Sequence, residues 1–249
     1  MITCEEIYDL HTTGALESAL CEAYREIPLD SRNSMRKNDT PLHMACAFVD
    51  ENAVRILLER GADVNVRNDD GDTPLCVLAK RKCCGKETTI AGIAGLLVSK
   101  EARVPRSGKN TTALIEAVGN RHFLMADILL MSGCRIDSTN SNGNNVLHVI
   151  CQSAGDIAYD IKRTKERIAD FSERWYSEKD KREAYENMEY LEEADRQCFL
   201  TAKRILENGQ IDTEDKNNIG KTALDIAWET GARRIGALLL FAFDTYPLD

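Results

Sequence analysis

The 249-residue chain has no apolar run of about 18 residues, the length a helix needs to cross a bilayer, so a membrane-spanning helix is not expected. Met1 to Leu10 carries Glu5, Glu6 and Asp9 and does not resemble a secretory signal. Paired cysteines are missing as well. The nine cysteines are an odd number with no C-x-x-C spacing, which fits reduced thiols in a cytoplasmic compartment, with delivery into a host cell left open. The chain also lacks an excess of positive charge. A net charge of −9 and a pI near 5.1 exclude general nucleic-acid binding, which needs clustered Lys and Arg to displace counterions, and favour a partner with a basic surface. The phosphate-binding loop, the dinucleotide-binding glycine pattern, H-E-x-x-H and G-x-S-x-G are all absent, so no catalytic residue, metal ligand or cofactor is expected.

What is present is a repeated pattern. Asn38 to Asp72 reads N-D-T-P-L-H-M-A-C-A-F-V-D-E-N-A-V-R-I-L-L-E-R-G-A-D-V-N-V-R-N-D-D-G-D. Thr40-Pro41-Leu42-His43 predicts a helix start, with proline at the first turn where its missing N–H is no loss. Val54, Leu57 and Leu58, with Ile56 beside them, form the apolar face of a second helix, which Gly61 ends. Asn68-Asp69-Asp70-Gly71 is a turn cluster, and Thr73-Pro74-Leu75 restarts the pattern 33 residues after Thr40. This resembles the ankyrin repeat. The resemblance implies an all-α solenoid of stacked helix-turn-helix units with short β-turn or hairpin tips.

Read in that register, residues 1–33 form an atypical amino-terminal cap, with Ile7, Leu10 and His11 on one helix, Gly14 at a turn and Leu16, Leu20 and Tyr24 on a second. Repeats occupy 34–154 and resume over 199–249, about five in all, in one domain. From Leu42 to Leu57 is 15 residues, as from Leu114 to Leu129 and from Leu224 to Leu239. Leu75 to Leu97 is 22, which places about seven extra residues around Lys82 to Lys86, and Cys76 stands where the motif has histidine. Asn38 and Asn110 share the register of Gly71, Gly143 and Gly220, so a positive φ is expected at all five.

The fourth repeat departs most. Leu147 to Ile205 is 58 residues, and 155–198 is read as an inserted helical hairpin. Ile157, Ile161, Ile168, Phe171 and Trp175 recur at helical spacing, as do Met188, Leu191, Ala194, Cys198, Ala202 and Ile205. Ser177-Glu178-Lys179-Asp180 resembles a capping box at the second helix. The basic Lys162, Arg163, Lys165 and Arg167 are expected opposite the acidic Glu183, Glu186, Glu189, Glu192, Glu193 and Asp195. Trp175, Tyr176, Tyr185 and Tyr190 are read as hairpin core.

The resemblance assigns His43 and His148 helix-bracing hydrogen bonds, and it places partner binding on the turn tips and inner helices that line a concave groove. Carried over by register, the binding residues are Arg36, Lys37, Asp39, Phe48, Asp69, Asp70, Asp72, Lys80, Arg81, Lys109, Asn120, Asn142 and Asn144. Phe48 is expected as an exposed aromatic anchor, on a surface running from a basic first tip through an acidic second to an uncharged fourth. The function this implies is a non-enzymatic scaffold for a protein or peptide. Alternatives are an inhibitor or immunity-type protein capping a basic enzyme, or a thiol-dependent enzyme using Cys83 or Cys84. Self-association through the insert or the apolar carboxy-terminal tail is a further reading. Asn65 looks like the asparagine that hydroxylases modify in ankyrin proteins. Cys46, Cys134, Cys151 and Cys198 are read as small core residues.

Overall fold

The computed structural model describes residues 2–82, 85–102, 113–170, 176–208 and 211–245. These form two compact units, 1–135 and 136–249. Among the described residues there are twelve α-helices and no strand; one antiparallel bridge joins Asn33 and Asp39.

Unit 1 holds four helix pairs: α1 (Cys4–Thr13) with α2 (Glu17–Glu26), α3 (Pro41–Phe48) with α4 (Glu51–Glu59), α5 (Pro74–Ala79) with α6 (Glu87–Ser99), and α7 (Ala113–Gly119) with α8 (Phe123–Met131). First helices pack on first helices, α1 on α3, α3 on α5 and α5 on α7. Second helices do the same from α2 to α8. Two helical layers result, and each leucine of the sequence pattern lies between them: Leu42, Leu57, Leu75, Leu97, Leu114 and Leu129 are all buried. Each such side chain stabilises the stack by about 1.5–3 kcal/mol.

Local chemistry sets the boundaries. Thr3 and Glu6 close a capping box on α1, and Gly14 ends it at φ 70°. Asp50 accepts the Ala53 N–H at the start of α4, and Gly61 stands at φ 87° just past its end. Asn38, Gly71, Gly143 and Gly220 all have positive φ, as their shared register requires; Asn110 lies outside the described residues. The extra residues of the second repeat are divided. Some lengthen the α5–α6 connection, and others lengthen α6 to 13 residues against 9 in α4. Leu16, expected on an apolar face, is instead the exposed residue preceding α2.

Unit 2 holds α9 (Val146–Ala169), α10 (Glu178–Glu207), α11 (Ala223–Thr230) and α12 (Arg233–Thr245), with α9 packed on α10 and α11, and α10 on α12. The insertion does not form separate helices. It continues the repeat's own two helices to 24 and 30 residues. Leu147, Ile157, Ala184, Leu191, Ala194, Cys198 and Ile205 fill the seam, and Asn187 donates across it to Thr164 Oγ1 at 3.3 Å. Ser177 and Asp180 form the expected capping box. The charges behave differently from expectation. Ion pairs such as Lys162–Glu166 and Arg196–Glu193 run along single helices, and Asp195 pairs instead with Arg234 of α12. Tyr185 is likewise exposed and is not core, since its neighbour Ala184 takes the seam. Trp175 and Phe171 lie outside the described residues, as does the tail from Tyr246. In the last pair Leu239 is buried and Leu224 half-buried.

Where α9 meets α11, a Cβ on Gly155 would stand 2.2 Å from Thr230 Cβ. Thr230 is held there by hydrogen bonds from its hydroxyl to the Ile226 and Cys151 carbonyls. Gly155→Ala should therefore lower the unfolding free energy by about 1–3 kcal/mol, by overpacking. Gly95→Ala, in an open part of α6, should be neutral or stabilising by about 0.5–1 kcal/mol. Equal effects of the two in chemical denaturation would contradict the close approach of α9 and α11.

Candidate functional site

The tips between helix pairs are built by asparagine. Asn68 Oδ1 accepts the Asp70 and Asp72 N–H groups at 3.1 and 3.0 Å, and the Asn68 N–H donates to the Asp72 carbonyl at 3.0 Å. Asn140 and Asn217 repeat this arrangement on Asn142 and Asn144, and on Ile219 and Lys221. A short side chain that satisfies two turn amides fixes the tip locally.

Successive tips are then tied together. In unit 1 the Asp69 N–H donates to the Lys37 carbonyl at 2.8 Å, and Asn68 Nδ2 to Asp39 Oδ1 at 2.8 Å. In unit 2 the Asn218 N–H donates to the Asn142 carbonyl at 3.1 Å, and Asn217 Nδ2 to Asn144 Oδ1 at 2.9 Å. Histidine adds the third tie. His43 is fully buried; its Nε2 donates to the Asp72 carbonyl at 3.0 Å, which leaves Nδ1 to accept from the Thr40 hydroxyl at 2.8 Å. His148 Nε2 donates to the Lys221 carbonyl at 2.9 Å in the same way. Both histidines thus have the bracing bonds that the resemblance assigned. At Cys76, where the motif's histidine is replaced, the Thr73 hydroxyl lies 3.4 Å from the thiol.

Against this frame the thirteen candidate residues separate. Arg36, Lys37, Asp69, Asp70, Arg81 and Asn142 are exposed, and Asp39 and Lys80 half-buried. Asp72 and Asn144, expected at exposed tips, are only 5% and 4% exposed, because the Asp72 carbonyl accepts from buried His43 and Asn144 is tied to Asn217 of the next tip. Lys80 covers Asp72 with an ion pair at 2.6 Å. Asn120 spends its amide on the Ala79 and Glu116 carbonyls, both at 3.0 Å. Phe48 is not an exposed anchor. Its ring stacks on His11 at 4.1 Å and meets Tyr8 at 5.6 Å, so α1 leaves it half-buried. Lys109 lies outside the described residues, as do Cys83 and Cys84.

The charge gradient is also reduced. Lys37 of the first tip pairs with Asp70 of the second, and Asn38 with Asp69, since tied tips bring these groups within bonding distance. Arg36 lies over the Tyr8 ring at 4.5 Å. Two exposed tip residues were not singled out from the sequence: Met35, 85% exposed, and Ile219, 73% exposed. Their signal was an apolar residue inside an otherwise polar tip.

The seven cysteines among the described residues are thiols. Burial pushes Cys134 up to about 11 and Cys151 up to about 12, and it raises Cys46 and Cys76 too. Such thiols stay protonated and pack as small apolar groups, as the repeat register implied for Cys46, Cys134, Cys151 and Cys198. Among the described residues no group of three or more His, Cys, Asp or Glu is placed to hold a metal ion, and no helix is long and apolar enough to cross a membrane.

Stacked helix pairs with tied tips define the class. Residues 27–76 match the family model described as ankyrin repeats (many copies), and that stretch carries ankyrin repeats. Among curated relatives, it is 34% identical over 68 residues to the ankyrin repeat-containing protein P1E11.10 of Schizosaccharomyces pombe, which covers 24% of this chain and 33% of that protein. It is 26% identical over 201 residues to the phosphocholine transferase AnkX of Legionella pneumophila, covering 76% of this chain and 20% of that protein. The chain thus spans a third and a fifth of the lengths of these two relatives. Ankyrin repeats are, as a family, modules that bind proteins and are generally not catalytic.

Burial holds His43 neutral, its pKa lowered despite the Asp72 carbonyl and the charges of Asp39 and Asp72; burial lowers His11 as well, against the pull of Asp50. The unfolded chain takes up these protons first, near about pH 6.5. The contribution to stability is therefore present above that pH and is lost as pH falls. His43→Gln should cost about 1–3 kcal/mol at neutral pH by breaking the buried bonds, and it should flatten the fall in stability between about pH 7 and pH 5. Urea denaturation at several pH values checks this; an unchanged acid slope would mean that His43 is not the buried neutral brace.

Proposed function

We propose that the chain is a non-enzymatic scaffold that holds a protein or peptide partner on its exposed tips and the adjoining first helices. The observation that carries this reading is the tying of the tips. Within each unit the described tips are fixed by an asparagine and bonded to a neighbouring tip, so the side chains that still project there do so from a rigid frame and lose little freedom on binding. In unit 1 Met35 supplies apolar contact of the kind that dominates interface energetics when water is excluded, and Arg36 and Arg81 supply polar selection; in unit 2 Ile219 and Asn142 have the same two roles.

The carboxylates Asp69, Asp70 and Asp72 are engaged by Asn38, Lys37 and Lys80. Attraction of a basic partner therefore comes from the net charge of −9 acting over distance, which affects the rate of encounter more than the contacts made. Phosphocholine transfer, the activity in the name of AnkX, is not carried over to this chain, because the likeness extends over one fifth of that protein.

Affinity capture with the full chain, followed by mass spectrometry, identifies the partner, and calorimetry then tests the surface. Met35→Ser, Arg81→Ala and Ile219→Ser should together weaken binding by at least about tenfold, or about 1.4 kcal/mol, without shifting the unfolding midpoint. Phe48→Ala should lower stability first, since the ring is packed. Unchanged affinity in the triple variant rejects the tip surface.

A further inference from the structure

The hairpin of unit 2 carries two oppositely charged surfaces. On α9, Lys162, Arg163, Lys165 and Arg167 are exposed; on α10, Glu186, Glu189 and Glu192 are exposed. Among the described residues none of Arg163, Lys165, Glu186, Glu189 and Glu192 takes part in an ion pair. Lys162–Glu166 at 4.0 Å, Lys179–Glu183 at 3.9 Å and Arg196–Glu193 at 3.1 Å join residues of one helix, while Asp195 pairs with Arg234 of α12. The seam between the helices is apolar, filled by Ile157, Ala184, Leu191 and Ala194, and the charge that acts across the hairpin is Arg167, on Asp180 at the start of α10. Each helix also exposes an aromatic ring, Tyr159 at 65% and Tyr185 at 57%.

We infer that this hairpin is a self-complementary surface whose occupant is a second copy of the chain, with α9 of each copy set against α10 of the other. One molecule presents both the basic and the acidic helix, so a two-fold axis satisfies both at once: the contact of α9 with the partner's α10 is repeated as the contact of α10 with the partner's α9. The tyrosines supply apolar area within an otherwise polar contact. Because exposed charges supply the selectivity, association is weak and sensitive to salt, as for interfaces at the small end of the stable range. This surface is separate from the tips and does not depend on the scaffold reading.

Sedimentation velocity on the full chain tests the inference. The expected result is reversible dimerisation in about 50 mM salt that is lost in about 500 mM salt, where the screening length falls to a few ångströms. Reversing the acidic helix (Glu186→Lys, Glu189→Lys, Glu192→Lys) should give a monomer, and so should reversing the basic helix (Arg163→Glu, Lys165→Glu). An equimolar mixture of the two variants should restore the dimer, since both contacts are again between opposite charges. Circular dichroism checks that each variant is folded. If reversal unfolds either chain, the neutral form (Glu186→Gln, Glu189→Gln, Glu192→Gln) is measured instead and should weaken dimerisation about tenfold. A wild-type chain that stays monomeric in low salt, a dimer that survives either reversal, a mixture that remains monomeric, or a neutral form that dimerises like the wild type would each overturn the inference. Capture of an unrelated basic protein by the acidic helix of a monomer would overturn it too.

Discussion

Two first helices in this protein, α3 and α9, are fastened to the neighbouring tip through a buried histidine. His43 reaches the Asp72 carbonyl and His148 reaches that of Lys221, so in each case the start of one helix pair is fastened to the tip that leads into the next. A carbonyl at a solvent-facing turn is otherwise satisfied by water and free to move. Bonded to a buried imidazole, it fixes the tip's distance from the helical layer. The asparagine turns and the Asp69-to-Lys37 and Asn218-to-Asn142 backbone bonds then hold the tips to one another. Apolar burial between the two layers supplies most of the stabilisation, but it has little direction. The polar ties decide which surface residues face outward together.

Much of this was legible in the sequence because repeats state the same physics several times. Leu42, Leu75, Leu114 and Leu147 recur in register and are all buried, and the glycine or asparagine that precedes each repeat start takes the positive φ that its position demands wherever it is described. The helical character of the long insertion was legible for the same reason, through its spacing of apolar residues. Its form was not. Nothing in the spacing distinguishes a separate helical hairpin from an extension of the repeat's own helices, since both bury the same face.

The candidate site was legible in its location and less so in its membership. A register position says where a side chain starts, not what its neighbours will take from it. Asp72 and Asn144 sit at tips and yet are buried, Asp72 because His43 and Lys80 close on it and Asn144 because the adjacent tip supplies Asn217. Phe48 lies on a first helix, but the ring of His11 covers it, and His11 belongs to a pair too far from consensus for its contacts to be inferred. Lys37 and Asp70 look like opposite ends of a gradient in the sequence and are partners in space. Met35 and Ile219 went unnoticed because a pattern search rewards what repeats, whereas recognition uses what does not.

Tip rigidity is the claim on which the functional reading stands, and hydrogen exchange measures it at the bonds concerned. The Asp69 and Asn218 amides lie in turns whose side chains face water, so a loose tip would let them exchange as a surface loop does. The account predicts protection comparable to that of helix amides in the same unit, opening only with that unit. Exchange of either amide at the rate of an unprotected loop, with the helices still protected, would contradict it.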